Sequence, residues 1–270
     1  MLFRSGGDVP GLNPCIKAAV YRATDEGHEM VGFRRGWGGL LNLNPDDPAS
    51  QAEHMVQLTK VNTRTIDRTG GTILHTSRTN PAKMKAAALP AWLGEAERAR
   101  CRAAGEGIYD LTPLVVDQVE ALGIDVLVTI GGDDTLSFST ILNAAGVPVI
   151  GIPKTMDNDV QGTEYCIGFS SAITRAKELI NRQRTTLGSH ERIGVFRIFG
   201  RDAGFSALYA AYVTSARCLI PEAPYDLAHL AEVLAADHAA NPSRYAFVIA
   251  AEGALPKGGR LEEQIGRAHV

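Results

Sequence analysis

Two short polar loops each follow an apolar run that is typical of a buried strand. Residues 131–135 (Gly-Gly-Asp-Asp-Thr) follow the run 126–130, and residues 153–159 (Pro-Lys-Thr-Met-Asp-Asn-Asp) follow the run 147–152. Because the strands of one parallel sheet end at the same edge, we expect both loops to face one crevice, where α/β sheets bind ligands. Carboxylates for Mg²⁺, glycine amides for phosphate oxygens and a lysine for developing negative charge would meet there. The pattern therefore predicts a site for a metal-bound phosphate substrate.

The elements that carry these loops alternate along the chain between apolar runs and helical patterns. The run 111–122 spaces its apolar residues at helical intervals after Pro113 and leads through Gly123 into the next strand. Farther along, residues 193–199 read as a strand, and Asp226 is placed to cap a later helix. This alternation predicts an α/β protein whose parallel sheet is covered by helices on both faces.

The two loops belong to a set of segments that resembles the phosphofructokinase family, in the order that the family has them. The other members of the set are residues 6–13, 70–78, 198–204 and 251–254. That family transfers a phosphoryl group to the 1-hydroxyl of fructose 6-phosphate. The resemblance covers nearly the whole chain. It implies a three-layer α/β fold with two Rossmann-like domains and mainly parallel sheets, truncated at both ends.

The resemblance also implies a division into two domains, which composition alone does not reveal. Residues 6–168 would form the phosphoryl-donor domain, for pyrophosphate or ATP, and residues 169–264 an incomplete fructose 6-phosphate domain. The two ends of the chain match what a short-read sequencing adapter encodes when it is translated. We therefore expect residues 1–5 and 265–270 to be adapter-derived tails, and no apolar strand to precede the first glycine loop.

Catalytic roles follow from the resemblance residue by residue. Asp157 matches the family's catalytic aspartate, which accepts the proton of the sugar 1-hydroxyl, and Asp159 would orient that aspartate or bind the metal through water. Thr155 would hydrogen-bond the transferring phosphoryl group. Lys154 and Arg201 would stabilise its charge, as phosphoryl transfer requires. Paired aspartates in loops are often only turn formers, but the surrounding motif favours the catalytic interpretation.

The remaining predicted site residues bind metal, donor or acceptor. Asp133 matches the position that binds Mg²⁺, the cofactor that the family implies. The predicted donor-binding residues are Gly7, Arg78, Gly132, Asp134 and Thr135. The predicted acceptor-binding residues are Glu252 for the sugar hydroxyls, Phe199 and Gly200 for the sugar pocket, and Arg192 for the 6-phosphate of a neighbouring subunit. A core position for Phe199 and a plain surface position for Arg192 are the alternatives.

The phosphoryl donor depends on two positions. In the family's ATP-using enzymes the position of Asp134 is typically glycine, and the position of Lys154 is often glycine too. A carboxylate at Asp134 would repel the α-phosphate of ATP, whereas Lys154 could bind pyrophosphate, and the pair is the pattern of pyrophosphate-dependent phosphofructokinases. An ATP-dependent enzyme, with Asp134 turned into solvent, is the alternative. Trp37 lies where the family has a donor-site aromatic, and we predict that it packs in the core instead.

Length and composition agree with a cytoplasmic enzyme. The chain has 270 residues, 45% of them hydrophobic, and a formal net charge of -3. It shows no basic footprint for nucleic acid, no apolar stretch long enough for a membrane span and no paired cysteines for zinc or redox chemistry. The resemblance implies a homo-oligomer, a dimer or tetramer. A noncatalytic sugar-phosphate-binding or regulatory homologue would keep the glycines and lose the carboxylates, but Asp133, Asp157 and Asp159 are all present.

Overall fold

The computed structural model describes residues 2–4 and 7–257, and the chain divides into two compact units. The first unit ends at Thr155 and the second begins at Met156. The predicted donor domain, residues 6–168, therefore extends beyond the first compact unit. Where the functional boundary lies stays a prediction.

The first unit alternates strands and helices along the chain. Its strands are β1 (Leu2–Arg4), β2 (Met30–Phe33), β3 (Met55–Leu58), β4 (Met84–Lys85), β5 (Arg102–Gly105), β6 (Ile108–Asp110), β7 (Leu127–Gly131) and β8 (Val149–Thr155). Its helices are α1 (Leu12–Asp25), α2 (Gly36–Asn42), α3 (Pro48–His54), α4 (Glu95–Arg100), α5 (Thr112–Ala121) and α6 (Asp133–Ala144).

The main sheet of this unit places its strands in the order β3-β2-β1-β7-β8. The pairs β2 with β1, β1 with β7 and β7 with β8 are parallel, and only β3 runs antiparallel to its neighbour. In β7, Leu127 and Ile130 are fully buried, and each such side chain contributes roughly 1.5–3 kcal/mol to folding. Because β1, β7 and β8 are parallel neighbours, their carboxyl ends lie side by side at one edge of the sheet.

A strand does precede the first glycine loop, contrary to the expectation from the sequence. β1 pairs with β2 on one side and with β7 on the other, although it is only three residues long. The three residues suffice because two parallel neighbours satisfy the backbone of the strand from both sides. The other predicted tail, residues 265–270, lies outside the described residues.

An aromatic pair forms the centre of the core of the first unit. Trp37 and Phe138 are each 1% exposed, and their rings meet edge to face with centroids 4.7 Å apart. Leucines of α2 and α5 pack around this pair. The predicted packing role of Trp37 agrees with this position.

β8 differs from the buried strand predicted at 147–152. It begins at Val149, and Ile150 is 56% exposed. Leu136 of α6 covers the face of the strand that carries Gly151, whose added Cβ would lie 3.1 Å from Leu136 Cδ2. Because side chains alternate between the two faces of a strand, Ile150 lies on the opposite face. Residues 95–107, which include α4 and β5, are mostly exposed.

The described part of the second unit, up to residue 257, contains a small parallel sheet and three helices. Its elements are β9 (Ile167–Gly168), α7 (Phe169–Ser189), β10 (Ile193–Ile198), α8 (Phe205–Thr214), β11 (Arg217–Leu219), α9 (Leu227–Ala240) and β12 (Ala246–Ala251). Both neighbours of β12, which are β10 and β11, run parallel to it. Every residue of β12 is buried, so this strand forms the centre of the second core.

Two predictions about the second unit are confirmed. Asp226 caps α9 by accepting hydrogen bonds from the backbone N–H groups of Ala228 and His229. The strand predicted at 193–199 is β10. α7 begins directly after Gly168, which adopts φ 107° and lets the chain turn into the helix.

The described residues contain neither a disulfide nor a helix that could span a membrane. Cys15, Cys101, Cys166 and Cys218 form no disulfide. Burial, followed by the charge of Glu222, raises the pKa of the Cys218 thiol to about 11, which leaves that thiol protonated at neutral pH. No helix among residues 2–4 and 7–257 is both long and apolar enough to cross a membrane.

Candidate active site

The first unit brings a glycine loop and a lysine together at the edge where β1, β7 and β8 end. Lys154 is 4% exposed, and its ammonium donates a hydrogen bond to the carbonyl oxygen of Gly7 at 2.9 Å. In the register of β7 and β8, Gly131 stands opposite Pro153, which places Gly132 beside Lys154. Strand order thus positions a nearly buried positive charge against two predicted phosphate loops.

The turn from β7 into α6 depends on glycine. A Cβ added at Gly131 would lie 2.3 Å from the Cβ of Thr135, so any side chain there would displace the start of the helix. Thr135 itself is 3% exposed and packs against this turn. If Thr135 contacts the donor as predicted, it does so with a side chain that is almost fully buried.

Asp133 and Asp134 occupy the first turn of α6, and both are exposed. The partial positive charge at a helix N-terminus favours anions, but two carboxylates already stand there. A phosphate group would meet repulsion at this turn unless a cation lay between it and the carboxylates. The arrangement suits a phosphate that arrives with Mg²⁺.

Asn13 is a positioning residue that the sequence reasoning missed. It is 1% exposed, its amide donates to the carbonyl oxygen of Thr69 at 3.0 Å, and its Oδ1 accepts from the backbone N–H of Ile73 at 2.9 Å. It thereby joins the start of α1 to the predicted donor segment 70–78, in which Arg78 is exposed. The signal in the sequence that could have shown this role was a polar residue, Asn13, at a buried position in the first turn of α1.

The second unit places Asp157 beside Arg201. The Asp157 side chain is only 11% exposed, and its Oδ2 lies 3.7 Å from the Nε atom of Arg201, whose side chain is 70% exposed. The predicted base and the predicted charge stabiliser are therefore neighbours. Next to the base, Met156 offers its carbonyl oxygen to the hydroxyl of Ser206, in the first turn of α8, at 3.0 Å.

Asn158 closes the loop that follows the predicted base. It adopts φ 56°, in the left-handed region that asparagine tolerates better than most residues. Its amide donates to the carbonyl oxygen of Glu164 at 3.1 Å, and its Oδ1 accepts from the backbone N–H of Cys166 at 2.9 Å. Asp159, the next residue along the chain, is partly buried.

Glu252 holds the loop that carries Arg201. One carboxylate oxygen, Oε1, accepts from the backbone N–H groups of Gly200 at 3.2 Å and Arg201 at 2.6 Å. The turn is tight, since a Cβ added at Gly200 would lie 2.4 Å from the carbonyl oxygen of Ala203. Glu252 was predicted only to bind sugar hydroxyls, and the structure adds this backbone contact.

Two predicted acceptor residues, Phe199 and Arg192, are exposed at opposite ends of β10. Phe199 is 65% exposed, so the alternative of a core position is wrong. Arg192 is exposed immediately before β10. Its contact with the 6-phosphate of a neighbouring subunit stays a prediction.

Comparison with known proteins places this arrangement in a family. The sequence pattern described as Phosphofructokinase matches residues 1–269. The chain belongs to the phosphofructokinase family. The predicted α/β fold with mainly parallel sheets is confirmed. It agrees with two solved structures that show the fold at low sequence identity.

The first of these is phosphofructokinase of Pichia pastoris in the T-state, with a TM-score of 0.74 and 22% identity, covering 94% of this chain and 24% of that one. The second is a pyrophosphate-dependent phosphofructokinase of Marinobacter aquaeolei, with a TM-score of 0.70 and 18% identity, covering 99% of this chain and 64% of that one. Both likenesses extend over nearly all of the present chain.

The most similar sequences include users of both donors. ATP-dependent 6-phosphofructokinase 3 of Streptomyces coelicolor is 36% identical over 268 residues, which are 98% of this chain and 68% of the relative. Pyrophosphate–fructose 6-phosphate 1-phosphotransferase of Thermoproteus tenax is 38% identical over 263 residues, 96% of this chain and 66% of the relative. The chain thus spans about two thirds of the length of these relatives, and overall identity leaves the donor open.

Proposed function

We propose that the protein transfers a phosphoryl group from pyrophosphate to the 1-hydroxyl of fructose 6-phosphate, forming fructose 1,6-bisphosphate and phosphate. Family membership supports the reaction, and the carboxylates Asp133, Asp157 and Asp159 favour an enzyme over a noncatalytic homologue. Because the chain spans about two thirds of its relatives, the proposal concerns the full protein that contains this sequence.

Asp157 acts as the base in this proposal. As the sugar oxygen O1 forms its bond to the donor phosphorus, the hydroxyl proton passes to Asp157, and the bond from phosphorus to the bridging oxygen of pyrophosphate breaks. The leaving phosphate takes the electron pair of that bond. Arg201 lies next to this carboxylate and Lys154 next to the first glycine loop, so each stabilises charge in its own unit.

Mg²⁺ fits the donor residues through a single protein carboxylate. Within residues 2–4 and 7–257, no group of three or more metal-ligating side chains could hold a metal by itself. Mg²⁺ commonly binds through one or two carboxylates together with substrate phosphates, which the exposed Asp133 permits. When bound, the ion neutralises phosphate charge. The residue of the first unit that would hold it is Asp133.

The location and burial of Lys154 are the observation that supports pyrophosphate as the donor. Its charge is nearly buried, where it interacts more strongly with phosphate than it would in water, and it stands at the strand edge where the donor loops meet. Trp37 gives separate support. It is packed against Phe138 in the core, so it cannot stack on an adenine ring.

An ATP-dependent enzyme is the second candidate, and one observation favours it. Asp134 is exposed in the first turn of α6, so its carboxylate could turn into solvent and leave room for a nucleotide. ATP-dependent relatives from Streptomyces coelicolor and Thermus thermophilus are 36% and 38% identical to the chain.

A side-by-side assay of the full protein with fructose 6-phosphate, Mg²⁺ and either pyrophosphate or ATP tests the proposal. We expect kcat/KM to favour pyrophosphate by about two orders of magnitude or more, because one buried charge that acts on the transferring group has about that effect. Faster turnover with ATP would assign the enzyme to the ATP-dependent class. Tight sugar-phosphate binding without turnover on either donor would identify a noncatalytic homologue.

A further inference from the structure

We infer that Asn158 is a positioning residue that fixes the direction of the Asp157 carboxylate. The inference rests on the proposed function, because it takes Asp157 to be the base. Asn158 stands between two aspartates in the motif, and its own side chain is committed to backbone atoms farther along the loop. It therefore acts on the reaction through its neighbour.

The Asn158 side chain uses both ends of its amide to close the loop. The Nδ2 group donates to Glu164 and the Oδ1 atom accepts from Cys166, so the backbone at 158 is held against the backbone at 164 and 166. The residues enclosed include Gly162, which adopts φ 87°. Deleting this side chain would remove both of these hydrogen bonds from the loop.

The closed loop is anchored to a long helix. The carbonyl oxygen of Cys166 accepts a hydrogen bond from the N–H of Phe169, the first residue of α7. α7 runs for 21 residues and contributes Ile180 to the core of the second unit. Asn158 is thus connected, through Cys166, to the first residue of α7.

The other neighbour of Asp157 is anchored as well. Met156 accepts the hydroxyl hydrogen of Ser206 in α8, and α8 packs directly against α7. The backbone on each side of Asp157 is therefore tied to a helix, through Ser206 before it and through Asn158 after it. A displacement of the reacting group by about 1 Å can reduce turnover by about a hundredfold.

The left-handed backbone at residue 158 allows a sharp test in the full protein. Asn158→Gly keeps φ 56° accessible and removes the whole side chain with its two hydrogen bonds, so left-handed strain does not confuse the result. We expect kcat to fall by about ten- to a hundredfold, while KM for fructose 6-phosphate and for the donor stays within about twofold. A purely structural role would lower the amount of folded enzyme and leave kcat per folded molecule unchanged.

Asn241 supplies the matched control. It closes its own loop in the same way, donating to the carbonyl oxygen of Tyr245 at 2.7 Å and accepting from the N–H of Ser243 at 2.9 Å, but it lies at the end of α9. Asn241→Gly should lower the melting temperature and leave kcat unchanged. An equal loss of kcat in both variants would overturn the inference.

The outcomes separate this inference from the proposed function. If the unsubstituted protein turns over neither donor, the proposed function is wrong. If it is active and Asn158→Gly keeps its kcat, the inference about Asn158 alone is wrong. If Asn158→Gly does not fold, Asn158→Ser shortens the side chain so that it cannot bridge Glu164 and Cys166, and it adds no charge beside Asp157. A wild-type kcat in that variant would also overturn the inference, and a lowered kcat with unchanged KM would support it.

Discussion

The residues of the first unit that we predict to bind the donor and the residues of the second unit that we predict to act on the acceptor are held in place by different means. Gly7, Gly132 and Lys154 are positioned by three adjacent parallel strands, and the contact from Lys154 to Gly7 follows from strand order. Asp157 and Arg201 lie in loops outside any strand. Side-chain hydrogen bonds from neighbouring residues hold those loops.

This difference has a consequence for substitutions. Where the strands of the first unit position a residue, as at Lys154, the backbone should stay in place when the side chain is lost, so a change there should alter which donor is used and how fast it reacts. In the second unit, side-chain hydrogen bonds hold the loops, so a substitution at one residue should displace another residue of the site. Arg201 at φ 51° and Asn158 at φ 56° both have backbones that depend on such contacts.

The largest effect should come from the predicted base. Asp157→Asn keeps the shape of the side chain and removes its ability to accept a proton, so kcat should fall by between about 10² and 10⁴. Binding of fructose 6-phosphate should change little, and steady-state kinetics together with a binding titration would measure both. Near-normal turnover would exclude the role. Asp226→Asn, at an exposed helix cap of the same unit, is the control and should keep its kcat.

The next effect tests the scaffold of the first unit. Lys154→Met removes a nearly buried charge and keeps much of the volume, so the strands should stay in place while turnover with pyrophosphate falls by about a hundredfold. Lys17→Met is the matched control, because Lys17 also donates to a backbone carbonyl, that of Arg64 at 2.7 Å, and lies on the surface. Similar losses in both variants would contradict a specific role for Lys154.

How far the sequence predicts the site follows the same division between the two units. Strand runs, turn glycines and the parallel edge predict where Gly132 and Lys154 meet, because strand order and alternation are local properties of the sequence. The added contact of Glu252 could not be predicted in this way. It joins residues 52 positions apart through a backbone N–H, and no spacing encodes such a pair. The exposed Ile150 was missed because an apolar run does not show which face a helix covers.

A third and smaller effect concerns the donor. Asp134→Gly removes a carboxylate from the first turn of α6, and relief of a like-charge contact in a partly solvated site should raise kcat/KM for ATP by about tenfold. Activity with pyrophosphate should change little. Unchanged use of ATP would mean that the carboxylate already points away from the nucleotide. The double variant with Lys154→Gly measures whether the two positions act together.

The smallest effect tests whether the Glu252 side chain holds the loop of Arg201 in place. Glu252→Gln keeps an oxygen that can accept from the N–H groups of Gly200 and Arg201 but removes the charge, whereas Glu252→Ala removes the acceptor. We expect kcat/KM to fall about threefold in the first variant and about tenfold in the second, since each hydrogen bond contributes on the order of 1 kcal/mol.

A split in the kinetic constants would identify the cause. If Glu252 serves mainly to hold the loop of Arg201, Glu252→Ala lowers kcat, because Arg201 then loses its position beside Asp157. If Glu252 serves mainly to bind sugar hydroxyls, both variants raise KM for fructose 6-phosphate by similar factors, because both remove the charged acceptor. The second result would mean that acceptor residues, like donor residues, are held by the fold rather than by each other.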